Sequence, residues 1–195
     1  MRLKNIATAA ACVAFAVQFA ACAGSYHVKT NINDDGSTEY PLTNNEITVE
    51  GAAKFHAELT EGEGNFNVEK RCFIDLRSRK DPEGNVSYWL ILTYMAEDWL
   101  EIETGRSLEL TIDLNSLVLS ADSGLNRQKD PSGNFITEIL EYPVTSDDLW
   151  KMIRADAILV NVTGREGEMN GYFNEINFAN LRRFAEEHML GVTDY

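Results

Sequence analysis

Val86-Ser87-Tyr88-Trp89-Leu90-Ile91-Leu92-Thr93-Tyr94-Met95 decides the fold. Apolar and aromatic residues occupy both the odd and the even positions of this run. An amphipathic helix would show a polar face every 3.6 residues, whereas a strand covered on both sides is apolar throughout. The run predicts a central strand, with Trp89 in the core. Upstream, Phe66, Val68, Cys72, Ile74 and Leu76 fall on one phase of a two-residue period. Ile47, Val49, Ala53, Phe55, Ala57 and Leu59 do the same before them, as half-buried strands do. Downstream, Leu108, Leu110, Ile112 and Leu114 predict a strand that Asn115-Ser116 turns into Leu117, Leu119 and Ala121. Phe135–Val144, Ala157–Thr163 and Glu168–Phe173 continue the pattern.

Two connections share one signature. Lys80-Asp81-Pro82-Glu83-Gly84-Asn85 and Lys129-Asp130-Pro131-Ser132-Gly133-Asn134 both read K-D-P-x-G-N. Proline presets φ, Asp accepts a local backbone bond and Gly takes a positive φ, so each predicts a hairpin turn. Thr145-Ser146-Asp147-Asp148 offers an N-cap with acids in the first turn and opens a short helix to about Ala155. A last helix, about Phe178–Met189, places Phe178, Leu181, Phe184, Ala185 and His188 on one side. The expected fold class is mainly β with two short helices (α+β). It is an antiparallel sandwich or open barrel, with the C-terminal helix packed on the sheet. A single globular domain is expected over 46–195.

The chain has 195 residues, 17 Lys plus Arg against 31 Asp plus Glu, and a formal charge of −14. So acidic a chain lacks the basic face that phosphate backbones require, so nucleic acid is not an expected partner. Three cysteines cannot frame a disulfide scaffold, and no second long apolar run suggests a polytopic membrane protein.

The first 21 residues differ from the rest. Arg2 and Lys4 form a basic head, an apolar stretch runs from Ile6 to Ala21, and Ala20-Ala21 precede Cys22. This is the arrangement of a secretory signal peptide, too short and alanine-rich for a permanent membrane span. Phe19-Ala20-Ala21-Cys22 resembles the lipobox of bacterial lipoproteins. That resemblance implies cleavage before Cys22, acylation of its thiol and a cell-envelope location anchored in membrane lipid. Ala23, rather than Asp, after the cysteine implies the outer membrane under enteric-type sorting. Without acylation, cleavage by an ordinary signal peptidase would yield a soluble periplasmic or secreted protein. Residues 22–45 scatter their apolar side chains among Asn, Asp, Gly, Ser and Thr and are expected to be a tether or an irregular lead-in, with a strand around Tyr26–Asn31 as the alternative.

Chemical signatures are sparse. His27, His56 and His188 are isolated, so zinc-type spacing is absent, and no metal or cofactor is expected. Asn31-Ile32-Asn33-Asp34-Asp35-Gly36 mimics the opening of a calcium loop, but Leu42 stands where a bidentate Glu is required, which favours a polar turn. Cys72 lies on the apolar phase of its strand and reads as core. Glu97, Asp98, Asp113 and Asp122 are acids at strand ends and in loops that could converge for acid–base work. Trp150 is expected to dock its helix on the sheet. Trp99, flanked by Glu97 and Asp98, is the candidate ligand-binding aromatic. These features predict a non-catalytic, acidic β-rich interaction or structural module of the envelope, with an envelope protein or glycan as partner. The alternatives are a carboxylate-dependent hydrolase of envelope polymers, or a carrier whose cavity is lined by Leu90, Leu92, Leu110 and Ile112.

Overall fold

The computed structural model describes residues 26–51, 70–121, 123–131 and 135–189. The signal, Cys22, the alternation over 53–59, His56, Phe66, Val68 and Asp122 lie outside the described residues. The fold is mainly antiparallel β with two helices, arranged as a sandwich. Its strands are β1 (His27–Val28), β2 (Asn31–Ile32), β3 (Thr38–Thr43), β4 (Thr48–Val49), β5 (Arg71–Lys80) and β6 (Val86–Ala96). They continue with β7 (Gly105–Ile112), β8 (Asn115–Ala121), β9 (Ser123–Lys129) and β10 (Ile136–Val144). Helix α1 (Ser146–Arg154), β11 (Ile158–Gly164), β12 (Gly167–Tyr172) and α2 (Glu175–His188) complete the chain.

One seven-stranded sheet has the order β1-β3-β5-β6-β10-β9, with β2 also on β3; the other, five-stranded, runs β4-β12-β11-β7-β8. The expected central strand is β6, flanked by β5 and β10 over nearly its whole length. Its even residues Leu90, Leu92 and Tyr94 face Leu108, Leu110, Val160 and Val162 of the second sheet in one continuous core. Complete burial of each such leucine contributes roughly 2 kcal/mol, so this layer dominates the stability.

The sheets exchange chain at two corners. β8 ends at Ala121 in the five-stranded sheet and β9 begins at Ser123 in the other. At the second corner Asn44 takes a left-handed φ of 65°. Beyond it Asn45–Ile47 still bonds to β5, and then β4 joins β12. The hydrogen-bond circuit does not close into a barrel.

The Lys80–Asn85 turn forms as its signature predicts. Asp81 accepts the Asn85 N–H at 2.7 Å, and Gly84 has φ 93°. At the second such turn Asp130 accepts from the Phe135 N–H at 2.7 Å. Thr145 caps α1 by accepting the Asp148 N–H at 3.1 Å. Helix α2 starts earlier than its apolar pattern, because Asn174 and Asn177 form a reciprocal capping box. The buried sides of the two helices belong to the core between the sheets. Among the described residues no helix is long and apolar enough to cross a membrane.

Three local expectations are corrected. From Tyr26 onward the expected tether is folded, with the alternative strand present as β1: β1 and β2 pair with β3 and β3 pairs with β5, and such backbone bonds need no strict apolar alternation. The β7–β8 turn is Asp113-Leu114, two residues ahead of Asn115-Ser116. Asp113 adopts φ 55° there, and Leu114 stands 96% exposed at the tip. Trp89 lies on the odd, outward phase of β6, on the sheet face turned away from the core.

Candidate functional site

A cleft of about 520 Å³ opens between the β7–β8 turn and α1, lined by Ile112, Asp113, Asn115, Ser116, Leu117, Lys151 and Arg154. Asp113 shapes it. Its carboxylate accepts the N–H groups of Asp156 and Ala157 at 3.0 and 3.1 Å, while its own N–H donates to Ala157 O. The turn is thereby fastened to the segment that leaves α1. Lys151 and Arg154 occupy the last turn of α1, where cations complement the helix dipole. Lys151 Nζ donates to Asp148 at 2.9 Å, and the Arg154 guanidinium lies 5.3 Å from the centre of the Trp150 ring. Ser116 Oγ donates to Glu109 at 2.6 Å. An apolar floor with polar and cationic walls suits the recognition of a small polar group.

The outward face of the large sheet is the second distinctive surface. Three arginines of β5 project from it, each joined to an acid: Arg71 to Glu46, Arg77 to Glu141, and Arg79 to Asp35. Arg77 crosses β6 to reach Glu141 with bonds of 3.0 and 2.6 Å, and its guanidinium lies 4.8 Å from the Trp89 ring centre. Arg71 stands 4.9 Å from the Phe73 ring centre in the same manner. The aromatic faces are thus capped by guanidinium groups. Asp75 shares this face. Burial pushes its carboxyl up to about 6, against the lowering effect of the Asn45 N–H, which it accepts at 2.8 Å. Asp75 and Glu141 both stand opposite Ile91 in register. Two strand spacings put their Cα atoms about 10 Å apart.

Among the described residues, those singled out from sequence do not converge. Trp99 is half-buried and packs against the core, while Glu97 and Asp98 beside it are exposed. Asp113 is committed to backbone donors in the cleft wall. Cys72 is wholly buried, and burial pushes its thiol far above the usual range. His27 is exposed. His188 packs on Tyr40 at a ring separation of 4.7 Å, and burial lowers its pKa. The Asn31–Gly36 segment enters a turn in which Asp35 accepts from Ser37 and from Arg79. Among the described residues no group of three His, Cys, Asp or Glu side chains is placed to hold a metal ion. Of the residues expected to line a carrier cavity, Leu90, Leu92 and Leu110 are 0% exposed, while Ile112 lines the cleft beside α1.

Sequence reading missed the buried polar groups. Glu138, on the inward face of β10, accepts from the Leu100 and Ile102 N–H groups at 3.0 and 3.2 Å and from Arg127 Nε at 2.9 Å. It pins the loop that carries Trp99 between the two sheets. Gly164 completes the anchorage, since a Cβ there would collide with the Leu100 carbonyl. Asn45 accepts from Asn177 and Asn180 of α2 at 2.9 and 3.1 Å and donates to Ile74 O at 2.8 Å. The alternating phase of Glu138 among apolar neighbours was the signal available for the first. Nothing local marked Asn45, whose partners lie more than a hundred residues away.

Comparison with protein-family models, with curated proteins and with solved structures finds no match to this chain.

Proposed function

We propose that this protein is a non-catalytic cell-envelope lipoprotein, an acidic β-rich interaction module held at the membrane by acylated Cys22. The observation that carries this reading is the order of the first residues: Arg2 and Lys4, the apolar stretch Ile6–Ala21, then Phe19-Ala20-Ala21-Cys22. Two or three acyl chains, at about 0.8 kcal/mol per buried methylene, give a stable anchor where one chain does not. Support for an interaction role comes from the domain itself. Several of its acids, among them Glu46, Glu141, Asp81 and Asp113, are engaged in ion pairs and turns, and Leu90, Leu92 and Leu110 are fully buried between the sheets. The cleft beside α1 is the surface on which an envelope protein or glycan would bear.

The test is phase partition and intact mass of protein from its native host. Wild type is expected in the detergent phase with the mass of two or three acyl chains, and Cys22→Ala in the aqueous phase. Wild type that is soluble and begins at Gly24 would overturn the reading.

A hydrolase of envelope polymers is supported by one observation, the raised carboxyl of Asp75 in the same cross-strand row as Glu141. It requires that wild type release fragments from envelope glycan or peptide and that Asp75→Asn abolish the release. Equal, background-level release from both proteins rejects it.

A further inference from the structure

Tyr26 is the point where the folded domain takes hold of its N-terminal lead. Its hydroxyl donates to Glu187 Oε2 at 2.8 Å, and the Arg183 guanidinium lies 4.2 Å from its ring centre. Arg183 Nε donates in turn to Glu187 Oε1 at 2.8 Å, and the tyrosine ring packs against the edge of the core. From there the chain runs antiparallel to β3, with His27 opposite Thr43 and Ile32 opposite Thr38. This is an edge of the large sheet.

Only Ala23, Gly24 and Ser25 separate Cys22 from Tyr26. Whatever conformation they take, four Cα–Cα steps span at most about 14 Å. A headgroup layer on one side of a bilayer accounts for roughly 5–7 Å of that. Little length then remains in which a domain could swing.

Resting on the acylated Cys22 proposed above, we infer that the domain lies directly on the lipid surface through its β1–β2 edge. Charge selects the same edge. Residues 26–33 contain no acid and carry His27 and Lys29, in a chain with 31 acidic side chains. Glu187, the acid nearest Tyr26, is neutralised by Arg183. Glu39 stands opposite Asn31 and Asp34 and Asp35 follow the strip, so anionic headgroups meet it chiefly through Tyr26–Thr30, and at a screening length of about 8–10 Å the nearest face decides the interaction. Ile32, 79% exposed on β2, supplies an apolar contact to the interface. The partner is therefore a phospholipid headgroup layer.

The experiment uses the native lipoprotein in phosphatidylethanolamine–phosphatidylglycerol vesicles containing a headgroup-nitroxide lipid. His27→Cys and Ile32→Cys, both at exposed positions, carry a fluorophore, and buried Cys72 stays unlabelled. The reference is the same protein with a flexible spacer between Ser25 and Tyr26; about 20 Gly and Ser residues add about 25 Å of mean reach. Quenching at positions 27 and 32 is expected to be several-fold stronger without the spacer than with it. Equal quenching in both, with intact mass proving the acyl chains, overturns the inference and leaves the anchor standing. Absence of acyl chains by mass overturns the anchor, and the inference falls with it.

Discussion

Glu138 and Asp75 stand on opposite faces of one sheet, with β6 between their strands, and they govern two different regions. Glu138 is 0% exposed and receives a cation and two backbone N–H groups, and it holds the loop from Glu97 to Thr104 against both sheets. Asp75 sits at the corner where β3 leaves for β4 and receives the Asn45 N–H. The buried part of that corner is neutral: the amides of Asn45, Asn177 and Asn180 satisfy one another and fasten α2, while the Arg71–Glu46 ion pair lies exposed at its rim. A buried carboxylate is tolerated when donors surround it, and a carboxylate with less support holds its proton longer. The first region is built on charge, while the second is built on amides and keeps one acid in partial conflict with its surroundings.

The sharpest way to break this contrast is Glu138→Ala. It leaves the buried Leu100 and Ile102 N–H groups without an acceptor, while Arg127, part-exposed, keeps the Ile102 carbonyl, and a loss of about 2–4 kcal/mol is expected by urea denaturation. A loss below about 1 kcal/mol would mean that water replaces the carboxylate without penalty.

Asp75 should set a pH dependence. Its folded carboxyl titrates at about 6 and its unfolded one near the ordinary aspartate value of 3.8, so the folded state binds more protons between those limits. Stability therefore falls as pH rises from about 4 to about 6, by up to about 3 kcal/mol, and Asp75→Asn flattens this part of the curve. Identical urea midpoint profiles for the two proteins would remove Asp75 from the account.

Asn45→Ala comes next. It leaves the amides of Asn177 and Asn180 without their shared acceptor, for an expected loss of about 1–3 kcal/mol. Hydrogen exchange should quicken at the N-terminus of α2 more than in β10. Uniform acceleration would show that the corner is not a separate region. The smallest effect is expected from Thr145→Ala, which removes the α1 cap that lies outside both regions. It should cost about 1 kcal/mol in thermal or urea unfolding, and more would tie α1 to one of the anchors.

The strands were legible because burial imposes a period that a reader can count. Cys72-Ile74-Leu76, Leu108-Leu110-Ile112 and the doubly apolar β6 are found where the alternation predicts. The Lys80–Asn85 turn was legible for the same reason, since each of its residues has a local job. Three features escaped. The edge strands β1 and β2 and their neighbour β3 have mixed polarity, because much of a sheet margin faces solvent and its backbone bonds carry no sequence signature. Trp89 reads as core by residue type, yet it belongs to the outward phase and is covered by a guanidinium from a neighbouring strand. The anchors Glu138 and Asn45 join residues far apart in sequence, so only the folded chain pairs them. The cleft beside α1 was equally hidden: of its lining residues, only Asp113 and Ile112 had drawn attention as functional candidates, each for a different site.

The two corners at which chain passes between sheets bear on how this protein assembles. Asn115–Lys129 and Thr38–Val49 each contribute to both layers, so neither layer has a complete set of strands until the other is present. Pairing across such sequence distances makes for slow folding, with contact order as the controlling variable. A domain of this kind should lose its structure in a single kinetic phase that both sheets share, so the cell receives it either finished or wholly unfolded.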